Sequence, residues 1–230
     1  MASFPAPTVV FDLDGTLADT ASDLIATLNV ILTREELAPL PEAQARALVG
    51  AGAKALIECG FAASERDLTP NRLEELYRFF LAWYADHICV ETRLYPGVKR
   101  ALLQLEQEGF RLAVCTNKFE AHAVAVLRQL RVAHRFAAIC GRDTFCYIKP
   151  DPRHVTLTVE RAGGRPESAV MVGDSRTDIV AAQAAGIPVI AVPFGYTDVP
   201  VTELGPDRVI THFDELGEAV EAYVRRAQAA

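Results

Sequence analysis

The stretch VVFDLDGT, residues 9–16, places two carboxylates, Asp12 and Asp14, one residue apart between an apolar run and a glycine. The β-branched run before Asp12 is typical of a strand that is covered on both faces. In open parallel α/β sheets, ligands bind beyond the carboxyl ends of the strands, because loops and helix N-termini converge there. We therefore predict that Asp12 and Asp14 lie at the ligand-binding edge of such a sheet.

Short apolar runs of the same kind recur along the chain and alternate with segments of helical pattern. Because they lack a strict alternation of polar and apolar residues, they predict a parallel α/β sheet with helices on both faces. The predicted strands are residues 8–12, 111–116, 137–141, 169–174, 188–193 and 208–212.

Residues 19–93 break this alternation, because they carry helical patterns and no convincing strand. Their apolar residues recur at helical spacing. The predicted helices are DLIATLNVILTREEL (23–37), EAQARALV (42–49), AKALIECG (53–60) and NRLEELYRFFLAWYADHI (71–88). We therefore predict a discontinuous α/β core, residues 1–18 and 94–230, with an inserted all-helical lobe of residues 19–93.

Composition and charge exclude several classes of function. The chain has 23 Lys and Arg against 30 Asp and Glu, a formal net charge of -7, and no basic run stands out. No nucleic acid partner is therefore expected. The N-terminus MASFPAPTVVFD lacks the features of a signal peptide, and no apolar run approaches the length of a membrane span. We expect a soluble cytoplasmic protein with no membrane partner, and the sequence leaves its oligomeric state open.

Polar side chains follow several of the predicted strands, at the point where each strand ends. Besides Asp12 and Asp14, the candidates are Thr116, Asn117, Lys149, Asp174, Ser175 and Asp178. Because the carboxyl ends of parallel strands meet at one edge of a sheet, these groups are expected to converge. Carboxylates, a hydroxyl and a cation at one edge predict a site for a phosphate and a divalent metal ion.

These residue types suit the successive steps of phosphate ester hydrolysis. A carboxylate held at a strand end can attack phosphorus and form an acyl-phosphate, which makes Asp12 the candidate nucleophile. Asp14 can protonate the leaving oxygen and then accept a proton from the attacking water. Lys149 can balance the charge of the phosphoryl group, while the Thr116 hydroxyl and the amides around Asn117 can hold its oxygens.

Oxygen ligands for a metal ion are available at the same edge. Asp12, Asp174 and a backbone carbonyl near Asp14 offer the hard oxygen atoms that octahedral Mg²⁺ prefers. Ser175 and Asp178 are expected to support these groups through hydrogen bonds.

Each feature taken alone has a simpler interpretation. An isolated D-x-D is most often a turn or a solvated face, and Asp174 can equally cap a helix. Lys149 by itself is typical of a surface lysine, and Thr116 with Asn117 can cap the helix that follows. Only their convergence on one edge favours the catalytic interpretation.

The segment GAGAKA, residues 50–55, satisfies a loose dinucleotide-binding pattern, G-x-G-x-x-A. It follows a helical stretch rather than a strand, so a nucleotide site is not predicted there. We expect instead a tight loop whose backbone N–H groups face an anion. Its candidate substrate-binding residues are Gly50, Gly52 and Lys54.

The motifs in this order resemble the haloacid dehalogenase superfamily. DLDGT (12–16), which follows the first predicted strand, is similar to the first motif of that superfamily, and Thr116-Asn117 is similar to the second. Lys149-Pro150 is similar to the third motif, and GDSRTD (173–178) is similar to the fourth. The resemblance covers essentially the whole chain and implies a Rossmann-like α/β core with a helical cap inserted after the first motif. It also implies the roles given above for Asp12, Asp14, Lys149 and Asp174, with Mg²⁺ as the cofactor.

Within this superfamily, several features favour a phosphatase. The dehalogenases and phosphonoacetaldehyde hydrolases lack an acid at the position of Asp14, and similar sugar-phosphate mutases carry a histidine on the first cap helix, where residues 17–33 have none. LVGAGAKALI (48–57), VCTNK (114–118) and FGYTDVPVTELGPDRVI (194–210) resemble bacterial phosphoglycolate phosphatases. The resemblance implies hydrolysis of 2-phosphoglycolate, with residues 50–54 closing over its carboxylate end.

The substrate has alternatives at this stage. Ala51 stands where phosphoglycolate phosphatases commonly carry a polar residue, and related caps accept sugar phosphates, amino-sugar phosphates or pyrophosphate. A non-catalytic module that binds phosphate and metal is the alternative from a different class. The presence of Asp12, Asp14, Lys149 and Asp174 together weighs against that module.

Overall fold

A parallel sheet with helices on both faces forms the centre of the molecule. The computed structural model describes residues 6–197 and 199–229, so Asp198, in the quoted stretch 194–210, lies outside the described residues. The strands are β1 (Thr8–Phe11), β2 (Ala18–Asp19), β3 (Arg93–Leu94), β4 (Arg111–Cys115), β5 (Ala138–Cys140), β6 (Ala169–Gly173), β7 (Val189–Ala191) and β8 (Arg208–Val209). The helices are α1 (Ala21–Arg34), α2 (Glu42–Ala45), α3 (Ala53–Ala63), α4 (Pro70–Asp86), α5 (Val98–Gln107), α6 (Glu120–Gln129), α7 (Pro152–Arg161), α8 (Arg176–Ala184) and α9 (Leu216–Ala229).

The strand order in the main sheet is β5-β4-β1-β6-β7-β8, and all neighbouring strands pair in parallel. The chain moves outward from β1 through β4 to β5 and then returns to the other side of β1 at β6. The strand order therefore reverses between β1 and β6, where a crevice opens at the carboxyl ends of the strands. The predicted parallel α/β sheet is confirmed.

The central strand β1 is buried on both faces. Val9 and Phe11 belong to one apolar cluster with α5, α6 and α9, and Val10 belongs to a second cluster with α7 and α8. Both clusters need apolar side chains, which explains why the strand sequence does not alternate. This double burial holds the residue after Phe11, the carboxylate Asp12, on a rigid strand end.

Residues 19–93 form mainly helices, and α1, α3 and α4 pack on one another. Gly60 of α3 permits a close approach to α1, because a Cβ at that position would lie 2.8 Å from Leu32 Cδ2. None of the helices in the described part of the chain has the length and apolar character of a membrane span.

Two features of this lobe differ from the sequence prediction. A short antiparallel ladder pairs Ala18–Asp19 with Arg93–Leu94, where the chain leaves the core and returns to it. Two-residue strands are too short to show a period of two, so no sequence pattern predicts them.

The helix predicted over 42–49 is instead α2 followed by a 3₁₀ helix, Arg46–Ala51, because Gly52 takes φ +92° and ends the helical run. The division of the chain at 18/19 and 93/94 coincides with the ladder and stays a prediction.

The connection between the lobe and the core is fixed by a buried carboxylate. Asp23 of α1 accepts hydrogen bonds from the backbone N–H of Glu91 at 2.9 Å and of Thr92 at 3.0 Å, and from the Thr92 hydroxyl at 2.6 Å. A carboxylate that accepts several charge-assisted bonds orders the segment that donates them. The return segment is therefore anchored to the first helix of the lobe.

His154 of α7 is fully buried beneath the sheet edge and packs edge-on against Phe145. The Gly141 backbone lies nearby, but neither ring nitrogen has a partner in hydrogen-bonding geometry among the described residues. Burial, and then the nearby Lys149 cation, lowers the pKa of His154 from 6.5 to about 4. The imidazole is therefore neutral at pH 7 in the folded protein.

We predict that His154→Phe removes a pH-dependent loss of stability. Because the unfolded chain binds the proton at higher pH than the folded one, the stabilising contribution of neutral His154 is complete above pH 6.5 and is lost as the pH falls towards 4. The wild-type free energy of unfolding should fall over this range by about 3 kcal/mol more than that of the variant. Urea titrations at several pH values measure the difference, and parallel pH dependences of the two proteins would contradict the prediction.

Candidate active site

Lys149 is buried between two carboxylates at the carboxyl end of β1. Its Nζ lies 2.8 Å from Asp12 Oδ1 and donates to Asp178 Oδ1 at 2.5 Å. Burial alone would lower the pKa of Lys149, but the charges of Asp12 and Asp178 outweigh burial and raise it. Lys149 is therefore a permanent cation in the floor of the crevice.

Asn117 holds the backbone of Lys149 in place. Its Nδ2 donates to the Lys149 carbonyl at 2.9 Å, and its Oδ1 accepts from the Lys149 N–H at 3.0 Å. Asn117 was predicted to contact substrate. It does line the cavity, yet its amide is engaged in positioning the lysine, while the Thr116 hydroxyl accepts from the Lys118 N–H at 3.2 Å.

Ser175 and Asp178 form the N-terminus of α8 as a capping box. Asp178 Oδ2 accepts from the Ser175 hydroxyl at 2.6 Å and from the Ser175 N–H at 3.0 Å. The cap residue of this helix is therefore Ser175, and the Asp174 side chain is left for other partners. Asp174 Oδ1 accepts from the Thr16 hydroxyl at 2.6 Å, and its Oδ2 from the Tyr196 N–H at 2.7 Å.

Asp12, Asp174 and Asp178 lie close enough to hold a metal ion, with one carboxylate oxygen of each within 4.8 Å of the others. Asp178 pairs with the Lys149 ammonium through Oδ1 and with Ser175 through Oδ2. Asp174 accepts from neutral donors, whereas Asp12 pairs with Lys149 through Oδ1. Asp12 and Asp174 are therefore the candidate ligands of a cation. Burial and repulsion from Asp178 raise the pKa of Asp174, and burial is also the main cause that raises the pKa of Asp12 to about 7. Crowded, desolvated carboxylates of this kind fit a divalent cation.

Two glycines keep the space around the Asp174 carboxylate open. A Cβ at Gly15 would lie 2.4 Å from Asp174 Oδ2, and one at Gly195 would lie 2.1 Å from the same atom. Such contacts are shorter than any real Cβ tolerates, so any other residue would displace the carboxylate. The glycine of DLDGT is therefore required by close approach to the fourth motif as well as by its φ of +86°.

The Asp14 side chain has partners outside the cluster of Asp12, Asp174 and Asp178. Its oxygens accept from Lys118 Nζ at 2.9 and 3.2 Å, and Oδ1 also accepts from the Thr20 hydroxyl at 2.7 Å. The sequence prediction of a metal ligand at this position concerns a backbone carbonyl, which the side-chain geometry does not test. Two carboxylates one residue apart thus take up different surroundings.

Lys118 lines the cavity and was not among the site residues predicted from the sequence. Its side chain is 6% exposed, and its ammonium pairs with Asp14 and lies 4.6 Å from the ring centre of Tyr84 in α4. Burial would lower the pKa of Lys118, but the charge of Asp14 together with the interactions with Tyr84 outweighs burial and raises the pKa. Its position directly after Thr116-Asn117 was the signal that could have identified it.

The cavity lies between the sheet edge and the helical lobe. Its core side contains Asp12, Asp14, Thr116, Asn117, Lys118, Lys149, Asp174 and Ser175, together with Phe119, His122, Arg142 and Thr177. Its lobe side contains Leu24, Val49, Gly50, Gly52, Ala53, Leu56, Tyr77, Phe80, Leu81 and Tyr84. The structure therefore brings Gly50 and Gly52 to the cavity, as expected for substrate-binding positions.

Lys54 is not among the described residues that line the cavity. Its ammonium pairs with Glu74 of α4 and lies 5.0 Å from the ring centre of Tyr77. The loop also differs from expectation because the Gly52 N–H donates to the Val49 carbonyl at 3.1 Å and is not free for an anion. A lysine near a glycine loop does not reveal in sequence which side of the helix it will face.

Tyr196 connects the Asp174 carboxylate to the helical lobe and was also missed in the sequence. Its backbone N–H donates to Asp174, and its hydroxyl donates to Asp19 Oδ1 at 2.7 Å. Arg46 of the lobe pairs with the other oxygen of Asp19 at 2.5 Å. A Cβ at Gly50 would lie 2.3 Å from the Tyr196 carbonyl oxygen, so the glycine allows the lobe to close against this segment.

Comparison with known proteins agrees with this geometry. A family model for "Haloacid dehalogenase-like hydrolase" matches residues 9–192. The "Phosphoglycolate phosphatase" of Mesorhizobium japonicum is 50% identical over 96% of this chain and 98% of its own, and that of Agrobacterium fabrum is 46% identical over 100% of both chains.

A solved structure is similar along almost the same length. The crystal structure of a "predicted phosphoglycolate phosphatase" from Haemophilus somnus shares 30% identity, covers 93% of this chain and 97% of its own, and superposes with a TM-score of 0.86. The described residues that line the cavity all fall within the span matched by the family model. The protein thus belongs to the haloacid dehalogenase-like hydrolases.

Proposed function

We propose that this protein is a Mg²⁺-dependent phosphatase that hydrolyses 2-phosphoglycolate to glycolate and phosphate through an aspartyl-phosphate. The observation that carries the proposal is that Asp12 and Asp14 face one cavity in different surroundings, Asp12 beside Lys149 and Asp174, and Asp14 beside Lys118. Two carboxylates in different environments can take the roles of nucleophile and of general acid and base.

The first step forms a bond between an Asp12 oxygen and phosphorus. The bond between phosphorus and the ester oxygen breaks, and the electron pair leaves with that oxygen. Asp14, which lies beside the cavity on the next turn of chain, donates the proton that the leaving alkoxide needs. Glycolate then departs and an acyl-phosphate on Asp12 remains.

The second step hydrolyses this acyl-phosphate. Asp14, now ionised, accepts a proton from water while the water oxygen bonds to phosphorus, and the bond between phosphorus and Asp12 breaks. The Lys149 ammonium stabilises the negative charge of the phosphoryl group in both steps, and the Thr116 hydroxyl can donate to one of its oxygens. Phosphate is released and the Asp12 carboxylate is restored.

Asp12 and Asp174, with the backbone carbonyl of Asp14, are the groups that would hold Mg²⁺. When bound, Mg²⁺ supplies positive charge that offsets the repulsion between a carboxylate nucleophile and a phosphate dianion. Thr16 and Tyr196 keep the Asp174 oxygens oriented towards this position by their hydrogen bonds.

The lobe side of the cavity favours a small substrate. Leu24, Val49, Leu56, Phe80 and Leu81 line it, and the only polar side chains among its described residues are the tyrosines Tyr77 and Tyr84. A sugar phosphate would leave several hydroxyls against this wall without hydrogen bonds, which costs free energy for each one. A two-carbon acid has no hydroxyl to desolvate beyond the ester, in agreement with the names of the relatives at 50% and 46% identity.

A substrate panel tests the proposal. We expect kcat/KM for 2-phosphoglycolate to exceed that for a hexose phosphate, an amino-sugar phosphate and pyrophosphate by at least about 100-fold, because unpaired polar groups are strongly rejected by an apolar wall. EDTA should abolish phosphate release, and added Mg²⁺ should restore it. Released phosphate measures both effects.

The panel separates the parts of the proposal. A preference for another ester would contradict the substrate and leave the mechanism in place. Activity that persists in EDTA would contradict the metal requirement. Phosphate binding without turnover of any ester would instead identify a non-catalytic module.

A further inference from the structure

Arg142 is a cation at the cavity that has no carboxylate partner in the described part of the chain. Its guanidinium is exposed and lines the cavity, and its side-chain contacts are a long bond to the Tyr77 hydroxyl at 3.5 Å and the ring of Phe119 at 5.4 Å. The other two cations of the lining, Lys118 and Lys149, are occupied by Asp14 and by Asp12 with Asp178.

The backbone fixes Arg142 next to the residues that follow β4. The Arg142 N–H donates to the Lys118 carbonyl at 2.9 Å. A Cβ at Gly141 would lie 2.2 Å from the Glu120 nitrogen and 2.6 Å from the Lys118 carbonyl oxygen, so only glycine permits this approach. Asp143 accepts from the Glu120 N–H at 2.8 Å on the other side of the same contact. The loop that carries Arg142 is thus braced against the loop that carries Lys118.

The remaining basic side chain on the core side of the described cavity lining does not supply a positive charge at neutral pH. His122 of α6 is half-buried, and burial followed by the Lys118 cation lowers its pKa. On the lobe side, Lys54 pairs with Glu74 and does not line the cavity. An anionic group of a substrate, beyond the phosphate, therefore has Arg142 as its unoccupied cationic partner.

From this arrangement we infer that Arg142 binds the carboxylate of the substrate and determines the preference for a phosphorylated acid. The inference rests on the proposed function. It assigns recognition of the substrate carboxylate to the core loop after β5, whereas residues 50–54 were expected from the sequence to contact that carboxylate. A guanidinium suits this role because its planar donors match both oxygens of a carboxylate. The contact with Tyr77 of α4 places the arginine where the lobe meets the core.

The test compares two esters that differ only in the distal group, 2-phosphoglycolate and 2-hydroxyethyl phosphate. Arg142→Met should lower the ratio of their kcat/KM values by about 10- to 100-fold, mainly through KM for 2-phosphoglycolate, because a charge-assisted pair is lost. Activity on 2-hydroxyethyl phosphate should stay near wild type. Arg142→Lys, which keeps the charge but loses the planar fork, should give an intermediate ratio. Lys54→Met is the matched control and should leave the ratio unchanged.

The possible results are distinguishable. An unchanged ratio in Arg142→Met would overturn the inference, and a reduced ratio in Lys54→Met instead would assign the carboxylate to the lobe loop. Equal losses on both esters would also overturn it, because they would show a general effect on structure or turnover. If wild type hydrolyses other esters but not 2-phosphoglycolate, the proposed substrate fails first, and the inference fails with it.

Discussion

Asp12→Asn should leave a folded protein whose kcat for phosphate release is lower by at least about 10³-fold. Asparagine has the size of aspartate but no anionic oxygen to attack phosphorus. The backbone N–H of residue 12, which donates to the Val172 carbonyl at 2.9 Å, is unaffected by the change. The thermal midpoint should therefore stay near that of wild type, and phosphate should still bind.

Asp14→Asn is the matched comparison, because Asp14 is predicted to move protons and not to attack. With p-nitrophenyl phosphate, whose leaving group needs no proton, the first step should proceed and release about one equivalent of p-nitrophenolate in a rapid burst. The following turnover should be slow, since no base activates water. Asp12→Asn should show no burst.

Stopped-flow absorbance measures the burst, and acid quenching traps the phosphorylated protein for mass spectrometry. Near-normal turnover by Asp12→Asn would refute the nucleophile assignment. A phosphoryl group found on any residue other than Asp12 would do the same.

Lys149→Met should both inactivate the protein and lower its free energy of unfolding by about 3–5 kcal/mol. The side chain is 1% exposed and lies between Asp12 and Asp178. Removal of the cation leaves two desolvated carboxylates facing each other without compensation. Urea titration in EDTA measures the loss, because a bound metal ion would otherwise mask it.

The double variant Lys149→Met/Asp178→Asn separates stability from catalysis. It removes one negative charge together with the positive one, and the asparagine Oδ1 can still accept from Ser175 at the start of α8. Most of the lost stability should return, while activity should stay lost because the Lys149 ammonium no longer faces the phosphoryl group. Recovery of activity in the double variant would show that Lys149 has only a structural role.

Some parts of the site could be predicted from the sequence because they depend on residues that are close together in the chain. Asp12 follows a run that is apolar on both faces, and such a run forms a central strand whose end lies at the ligand-binding edge. GDSRTD contains its own capping box of Ser175 and Asp178, although Asp174 was considered from the sequence as the possible cap. These features depend on residues within a few positions of one another.

Other parts could not be read from the sequence because they depend on contacts between distant segments. Tyr196 donates its backbone N–H to Asp174, which lies 22 positions away in the chain. Because the donor is a backbone group, the type of side chain at position 196 does not indicate this bond. The orientation of Lys54 towards Glu74 depends on how α3 packs against α4. The ladder of β2 and β3 is too short to carry a pattern.

The sequence by itself determined the parallel sheet, the helical insertion, and the carboxylates and the lysine at the sheet edge. The reason is that the spacing of apolar residues, and the position of a residue directly after a strand, are local properties of the chain. Tertiary structure alone decided which of the cationic side chains around the cavity are paired with carboxylates and which is left free. Lys118 is held by Asp14, Lys149 by Asp12 and Asp178, and Arg142 by no carboxylate in the described chain. The physical reason is that charge pairing depends on distances of a few ångströms between loops that follow different strands.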